Sequence, residues 1–264
     1  MTKRLDLHVA KSNHLVEATF RLSLAELRVL SLVISRLDSR EPLDFGIAHT
    51  ITAQEMSRAY DLPLGQAYEL LTDGVDRLYE RSLRIHVPGA DPTKPPPDTR
   101  WISMKGKWLS RGSVELRFAP DIIPYLTQLT REFTRYQLRY IASMTSTYSI
   151  RLYEMLAQWR SAGTREVGVA WLRERLDLDE KYSNIRDLKR FVIVRAVSQI
   201  NAHSDLRVTW TQKKTGRQVT SFVFTFGPKP DDKPTPRALT RAEIEANARP
   251  GETWDEAKAR LSRP

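Results

Sequence analysis

The chain has 264 residues, 41% hydrophobic and 28% charged, with a formal net charge of +10. That length holds one large domain or two small ones, and a cationic excess of this size favours polyanionic partners through counterion release. The absence of cysteine excludes disulfides, Cys-ligated zinc and thiol catalysis, and it fits a reducing, cytoplasmic setting. The opening MTKRLDLHVA lacks the apolar core of a signal peptide, and no stretch approaches the roughly 20 apolar residues that span a bilayer. A soluble protein with no membrane partner is expected.

Residues 1–20 show little periodicity and read as an arm or a short strand. LAELRVLSLVISRL after Ser23 is strongly helical, with Ser23 and Glu26 as a capping box and Leu24, Leu27, Leu30, Ile34 and Leu37 as its apolar stripe. A short strand at 47–50 leads into ITAQEMSRAYDL, where Thr52 and Glu55 form a second box and Met56 and Tyr60 face inward. LPLGQAYELLTDGVDRLYERS makes the next helix, with Leu70, Leu71, Val75 and Leu78 inward, and Leu83, Ile85 and Val87 alternate as in a strand. PGADPTKPPPDTR is too rich in proline to be regular. Candidate strands follow at 101–109 and 113–118, then a short helix at 120–129. REFTRYQLRY is ambiguous between strand and helix and reads as a boundary segment.

The second half repeats this order. STYSIRLYEMLAQWR is a helix with Ile150, Tyr153, Leu156 and Ala157 inward, ending near Gly163. A strand at 166–169, a helix in AWLRERLDL, a helix at 184–202 and a hairpin of 206–212 with 219–226 come next. ITAQEMSRAYDL (51–62) and VGVAWLRERLDL (167–178) have the same length, match Met56 to Leu172 and Tyr60 to Leu176, and both end in Asp-Leu before the next helix. This predicts an α+β, mainly helical chain of two tandem winged-helix domains related by pseudo-symmetry. They occupy 1–130 and 131–227, and a Pro-rich linker and tail fills 228–264. Trp254 and Leu261, seven apart in that tail, are spaced to pack on a body, although a loosely docked tail is the reading preferred.

Cations concentrate in residues 181–217, where only Asp187 and Asp205 oppose Lys181, Arg186, Lys189, Arg190, Arg195, Arg207, Lys213, Lys214 and Arg217. A helix that enters the major groove, with a basic hairpin tip on the adjacent backbone, would use them at two places. At 100° per residue, Ile185, Leu188, Val192, Ala196 and Ile200 point inward, while Arg186 and Arg190 point outward beside Ser183 and Asp187. Lys189 and Arg195 fall nearer the apolar side than a DNA contact should. Val194 and Val197 project from the polar side and need a cover.

Five stretches carry a family resemblance: NHLVEATFRLSLAELRVLSLVISRL, AYELL with Arg77-Leu78, YSIRLYEMLAQW, LKRFVIVRAVSQINAHSDLRVTW and GRQVTSFVFTF. In this order, over residues 13–226, the chain resembles the plasmid replication initiator (Rep) proteins that bind iterons and start theta-type replication. The resemblance implies that the C-terminal domain makes the main DNA contacts through its helix and wing, with Lys189 and Arg190 as the basic pair. The N-terminal domain would touch DNA more weakly and mediate dimerisation. The candidate contacts are Lys181, Tyr182, Ser183, Asn184, Arg186, Lys189 and Arg190 on the helix and its approach, and Lys213, Lys214 and Arg217 on the wing. Gln66, Tyr68, Lys105 and Lys107 are the candidates in the first domain. The implied partners are double-stranded DNA with direct repeats at an origin, a second copy of the chain in equilibrium with monomer, and a host helicase, initiator or chaperones. Monomers would activate the origin and dimers repress the initiator's own promoter; no cofactor is implied.

The competing reading is a rolling-circle nickase, which needs paired histidines on a metal and a tyrosine nucleophile. His8, His14, His49, His86 and His203 are scattered, each reading as a surface or capping residue, and there is no phosphate-binding G-x-x-x-x-G-K-[ST] loop. Asp177, Asp179 and Glu180 read as charge ahead of a helix N-terminus rather than a magnesium site. No catalytic or metal residue is assigned. A winged-helix repressor without origin activity would use the same contacts. RNA binding is disfavoured because the sequence shows no exposed aromatic pair to stack unpaired bases.

Overall fold

A computed structural model describes residues 7–230, except 88, 90, 92, 109–111 and 179–180, and describes only the backbone of Lys107 and Trp108. The chain opens with β1 (His8–Ser12), the one-turn α1 (Asn13–Val16) and α2 (Leu24–Ile34). Ser23 and Glu26 cap α2 reciprocally, satisfying two of the backbone N–H groups that every helix start leaves open. β2 (His49–Thr52) runs into α3 (Ala53–Tyr60), capped by Thr52 and Glu55 in the same way. α4 (Leu64–Tyr79), a small ribbon of β3 (Ser82–Arg84) with β4 (Asp98–Arg100), and a hairpin of β5 (Ile102–Trp108) and β6 (Ser113–Phe118) complete this half.

After a 3₁₀ turn at Pro120–Tyr125 the series restarts. β7 (Phe133–Gln137), α5 (Arg139–Ala142), α6 (Thr147–Ala157), β8 (Thr164–Gly168) and α7 (Val169–Arg175) follow. A composite helix then runs through α8 (Ile185–Asp187), a π-helical stretch (Leu188–Val194) and α9 (Arg195–His203), and the hairpin β9 (Leu206–Thr215) and β10 (Gln218–Pro228) ends the series. The strand orders β2-β6-β5 and β8-β10-β9 are the same: in each half the strand before the helix pair hydrogen-bonds to the returning strand of the hairpin. Each half is a winged helix.

The sequence repeat extends to backbone conformation. Met56, Tyr60, Leu172 and Leu176 are all buried, and the matched Asp61 and Asp177 both turn left-handed, at φ 52° and 48°. A non-glycine residue there is uncommon and Asp is among the tolerated types, so these two aspartates end equivalent helices in the same way.

β1 and β7 pair antiparallel, His8 with Gln137, Ala10 with Arg135 and Ser12 with Phe133. Exchanging the two repeats maps the first of these pairs onto the last, as a pseudo-twofold axis through Ala10 and Arg135 requires. The helices that follow, α2 and α6, are buried on every side from Glu26 to Ile34 and from Ser149 to Ala157. A single apolar stripe on α2 was expected; instead Arg28 reaches across to the Ala142 carbonyl of the second repeat (3.2 Å). Residues 7–227 lie within one compact unit.

Other departures are local. Asp98–Arg100, read as loop, is strand β4, and the ambiguous REFTRYQLRY divides into β7 and α5. The expected helix at 120–129 is a short 3₁₀ turn, with Pro124 inside it. Trp254 and Leu261 lie outside the described residues, as do Asp179 and Glu180.

Candidate nucleic-acid interface

The composite helix at 185–203 is held by five side chains. Arg173, on the preceding α7, donates to the carbonyls of Lys181 (3.0 Å), Tyr182 and Ser183 (3.1 Å), fixing the turn that feeds the helix. The Asn184 side chain then caps the first turn, accepting from the Arg186 N–H at 2.8 Å. Lys189 donates to Gln212 on β9 (3.1 Å), tying the helix to its wing. Gln199 accepts from the Thr145 and Ser146 N–H groups (3.0 and 3.2 Å) at the start of α6, where no side chain of α6 itself serves as cap. Asn201 pairs in both directions with the backbone of Val208 (2.8 and 2.7 Å). The helix is therefore fixed in position and rotation before any ligand arrives.

Its π-helical stretch resolves the phase conflict. In a π-helix each hydrogen bond spans one residue more than in an α-helix, so the inward set slips by one. Leu188, Val192, Ile193, Ala196, Val197 and Ile200 are buried, whereas Arg195 is exposed. Val197, expected outside, is inside; Val194 stays outside, 50% exposed. The exposed face runs through Arg186, Arg190, Phe191, Val194, Arg195 and Ser198. On it Asp187 lies 3.9 Å from Arg186 and no other acid is present.

The wing turns at Gly216-Arg217, between Thr215 and Gln218. Gly216 has φ +60° at the first central position, where a type II′ hairpin turn requires it. Lys214 and Arg217 are exposed and have no ion-pair partner among the described residues. Lys213 is committed: its ammonium sits 2.5 Å from Glu166 of β8, and that hydrogen bond, with one from Ser221, holds the Glu166 carboxyl below its ordinary range.

The corresponding helix of the first repeat, α4, is electrostatically different. Its exposed face carries Glu69, Asp73, Arg77 and Glu80, with Arg77 3.9 Å from Asp73. Gln66 is exposed and Tyr68 half-buried in its first turn. Lys105 on β5 is drawn back onto α4, 3.1 Å from Asp76 and over the Tyr79 ring. Lys107 pairs with Val114 in the hairpin, and its side chain lies outside the described residues. Sequence-predicted contacts thus converge on one exposed cationic face and wing in the second repeat, while those of the first remain dispersed.

Residues 8–157 match the family described as initiator replication protein, WH1, and residues 168–226 match the initiator Rep protein WH2 domain. The chain belongs to the replication initiator protein family. An Escherichia coli replication initiation protein is 23% identical over 226 residues, 83% of this chain and 69% of that protein. A second Escherichia coli relative, known only as an uncharacterized 27.6 kDa protein, is 30% identical over 82% of this chain and 94% of its own length. The crystal structure of Pi initiator protein in complex with iteron DNA superposes with a TM-score of 0.72 at 23% identity, covering 86% of this chain and 99% of that one. The fold of this initiator is therefore the paired winged helix.

Sequence reasoning missed the residues that position the composite helix. Arg173, Gln199 and Asn201 act on backbone groups, which leave no signal in side-chain periodicity. It also missed an aromatic stack: the half-buried Tyr182 and Phe191, 43% exposed, lie 5.7 Å apart at 28°. His86, expected at the surface, is half-buried between the repeats, 2.6 Å from Arg175 and 2.8 Å from Thr19; burial, then the Arg175 charge, lower its pKa. Among the described residues no group of three or more His, Asp or Glu side chains is placed to hold a metal ion, and no helix is long and apolar enough to cross a membrane.

Proposed function

We propose that this initiator binds repeated double-stranded DNA sites at a replication origin, with residues 185–203 in the major groove and the 206–228 hairpin on the adjacent backbone. The observation that carries the reading is the nearly acid-free exposed face from Arg186 to Ser198, on a helix tied to its wing by Lys189 and Gln212, with Lys214 and Arg217 at the wing tip lacking an ion-pair partner among the described residues. Guanidinium groups in the groove read guanine edges, and wing cations neutralise phosphates. The Pi initiator, bound to iteron DNA in its crystal structure, supports direct repeats as the form of the site. Lys181, Tyr182, Ser183 and Asn184 would meet the backbone at the helix entrance, and Gln66 and Tyr68 would add contacts from the first turn of α4.

The same reading places the N-terminal domain at 1–130, the C-terminal domain at 131–227 and a tail at 228–264. The restart of the element series at β7 supports this division, although the family matches separate later, between 157 and 168. A cytoplasmic initiator that acts by binding alone, recruits a host helicase, initiator or chaperones, and represses its own gene as a homodimer completes the proposal. Exposed Phe45, Ile47, Leu64 and Val87 support the N-terminal domain as the dimerising one.

The test is a salt-titrated shift assay on duplex from the gene's own upstream region, against scrambled duplex. Bands that ladder with the number of direct repeats are expected. Selective binding to a single inverted repeat would favour a repressor, and unselective binding would sink the reading. In the same assay Arg190→Ala should cost about 1–3 kcal/mol and relax discrimination at one position. Lys214→Ala with Arg217→Ala should weaken all duplexes alike and flatten the salt slope by roughly one to two units.

A further inference from the structure

The reading face of the composite helix is not purely cationic. Between Arg190 and Arg195 it carries Phe191 and Val194, 43% and 50% exposed. Neither is needed for packing, because Leu188, Val192, Ile193, Ala196, Val197 and Ile200 supply the inward side. Phe191 is held in place, stacked on Tyr182 and covered by the Arg190 guanidinium 5.2 Å from its ring centre. Val194 is bare. The π-helical stretch, which brings Arg195 onto this face, contains both residues, and such stretches occur frequently at functional sites.

Duplex DNA offers one apolar group on the floor of its major groove, the C5 methyl of thymine. An apolar patch flanked by guanidinium groups on a helix held against its wing matches that chemistry. We propose that Val194 and Phe191 read thymine methyl groups, so that the recognised sequence carries thymine beside the positions met by Arg190 and Arg195. The assignment rests on the duplex-reading function proposed above and adds to it which chemical group is recognised. It also gives the two valines that project from the polar side of the ideal helix separate fates: Val197 packs inward, and Val194 reads DNA.

The experiment begins with a consensus duplex selected by the full chain from a random-sequence pool. Each thymidine in it is then replaced singly by deoxyuridine, which removes one methyl and leaves base pairing intact. At one or two positions affinity should fall about four-fold, the value of one buried methyl. With Val194→Ala or Phe191→Ala the loss at a matching position should disappear, while Arg190→Ala should retain it. Both side chains are exposed, and thermal melting of each variant confirms that folding is intact. Failure to select any consensus would overturn the duplex-reading function itself. A consensus whose thymines all tolerate uracil would overturn this proposal alone, as would a uracil effect undiminished in both variants.

Discussion

Arg173 shows how a residue outside the exposed face of the composite helix sets the geometry of that face. Its guanidinium collects three successive carbonyls, from Lys181 to Ser183, so the chain enters the composite helix in one conformation. Tyr182 turns left-handed there at φ 55°, a costly state for an aromatic residue that its surroundings must enforce. Charge-assisted hydrogen bonds contribute about 1.5–3 kcal/mol when buried, and these are partly open to solvent. Arg173→Ala should therefore reduce affinity for the specific duplex about ten-fold by loosening residues 181–184. The discriminating measurement is the salt dependence of binding. A positioning residue leaves the slope unchanged, whereas the loss of a phosphate contact lowers it by about 0.9. Nothing in the sequence marks this role, since arginines on AWLRERLDL look alike until the carbonyls they meet are known. Arg186 and Arg190 were legible as outward-facing because side-chain spacing alone decides that near the helix start.

At the scale of elements, both capping boxes and the 51–62 and 167–178 repeat could be read because their signals lie within a few residues of one another. β4 and β7 could not. Asp98–Arg100 is a strand only because Ser82–Arg84 lies beside it, and Phe133–Gln137 only because β1 does. The π-helical stretch escaped because a fixed 100° per residue cannot anticipate a local slip, and its traces in sequence were the misplacements of Arg195 and Val197. Packing of elements gives a further test at Gly74 on α4. A Cβ there would meet Val29 Cγ2 at 2.9 Å and the Ala25 carbonyl oxygen at 3.2 Å, both on α2. Alanine gains about 1 kcal/mol of helix propensity over glycine, but overpacking a rigid core costs about 1–3 kcal/mol. Since Val29 is fully buried and the second contact is backbone, the clash should win. Gly74→Ala is expected to lower the midpoint of urea unfolding, and a rise would mean that α2 and α4 can separate without penalty.

The two repeats form one molecule around a buried charge cluster that joins residues far apart in sequence. Lys11 of β1 donates to Glu154 of α6 at 2.6 Å, Tyr136 of β7 donates to the same carboxylate at 2.5 Å, and Arg151 lies 3.8 Å away. Lys11 and Glu154 are 1% and 0% exposed. Arg151 also donates to the carbonyls of Val16 and Ala18 (2.9 and 2.7 Å) and sits over the Phe20 ring. Burial alone would push the Glu154 carboxyl up, but Lys11 and Arg151 outweigh it and hold its pKa below the ordinary value; burial lowers that of Arg151 to about 10. Replacing Glu154 with Gln keeps the shape and strands Lys11 without a counter-charge, a change that costs about 3–5 kcal/mol in buried pairs. A carboxylate whose folded pKa is depressed contributes its stability above its unfolded value, about 4.3, and loses it as pH falls through the folded one. The gap in unfolding free energy between the natural chain and Glu154→Gln should therefore be full at pH 7 and narrow steadily below about pH 4. Urea titrations at the two pH values measure it. A gap that stayed constant with pH would show that the ionised carboxylate is not what Lys11 requires. A gap under about 1 kcal/mol, far short of a buried pair's value, would mean that apolar packing of α2 and α6 holds the repeats together without the charge cluster.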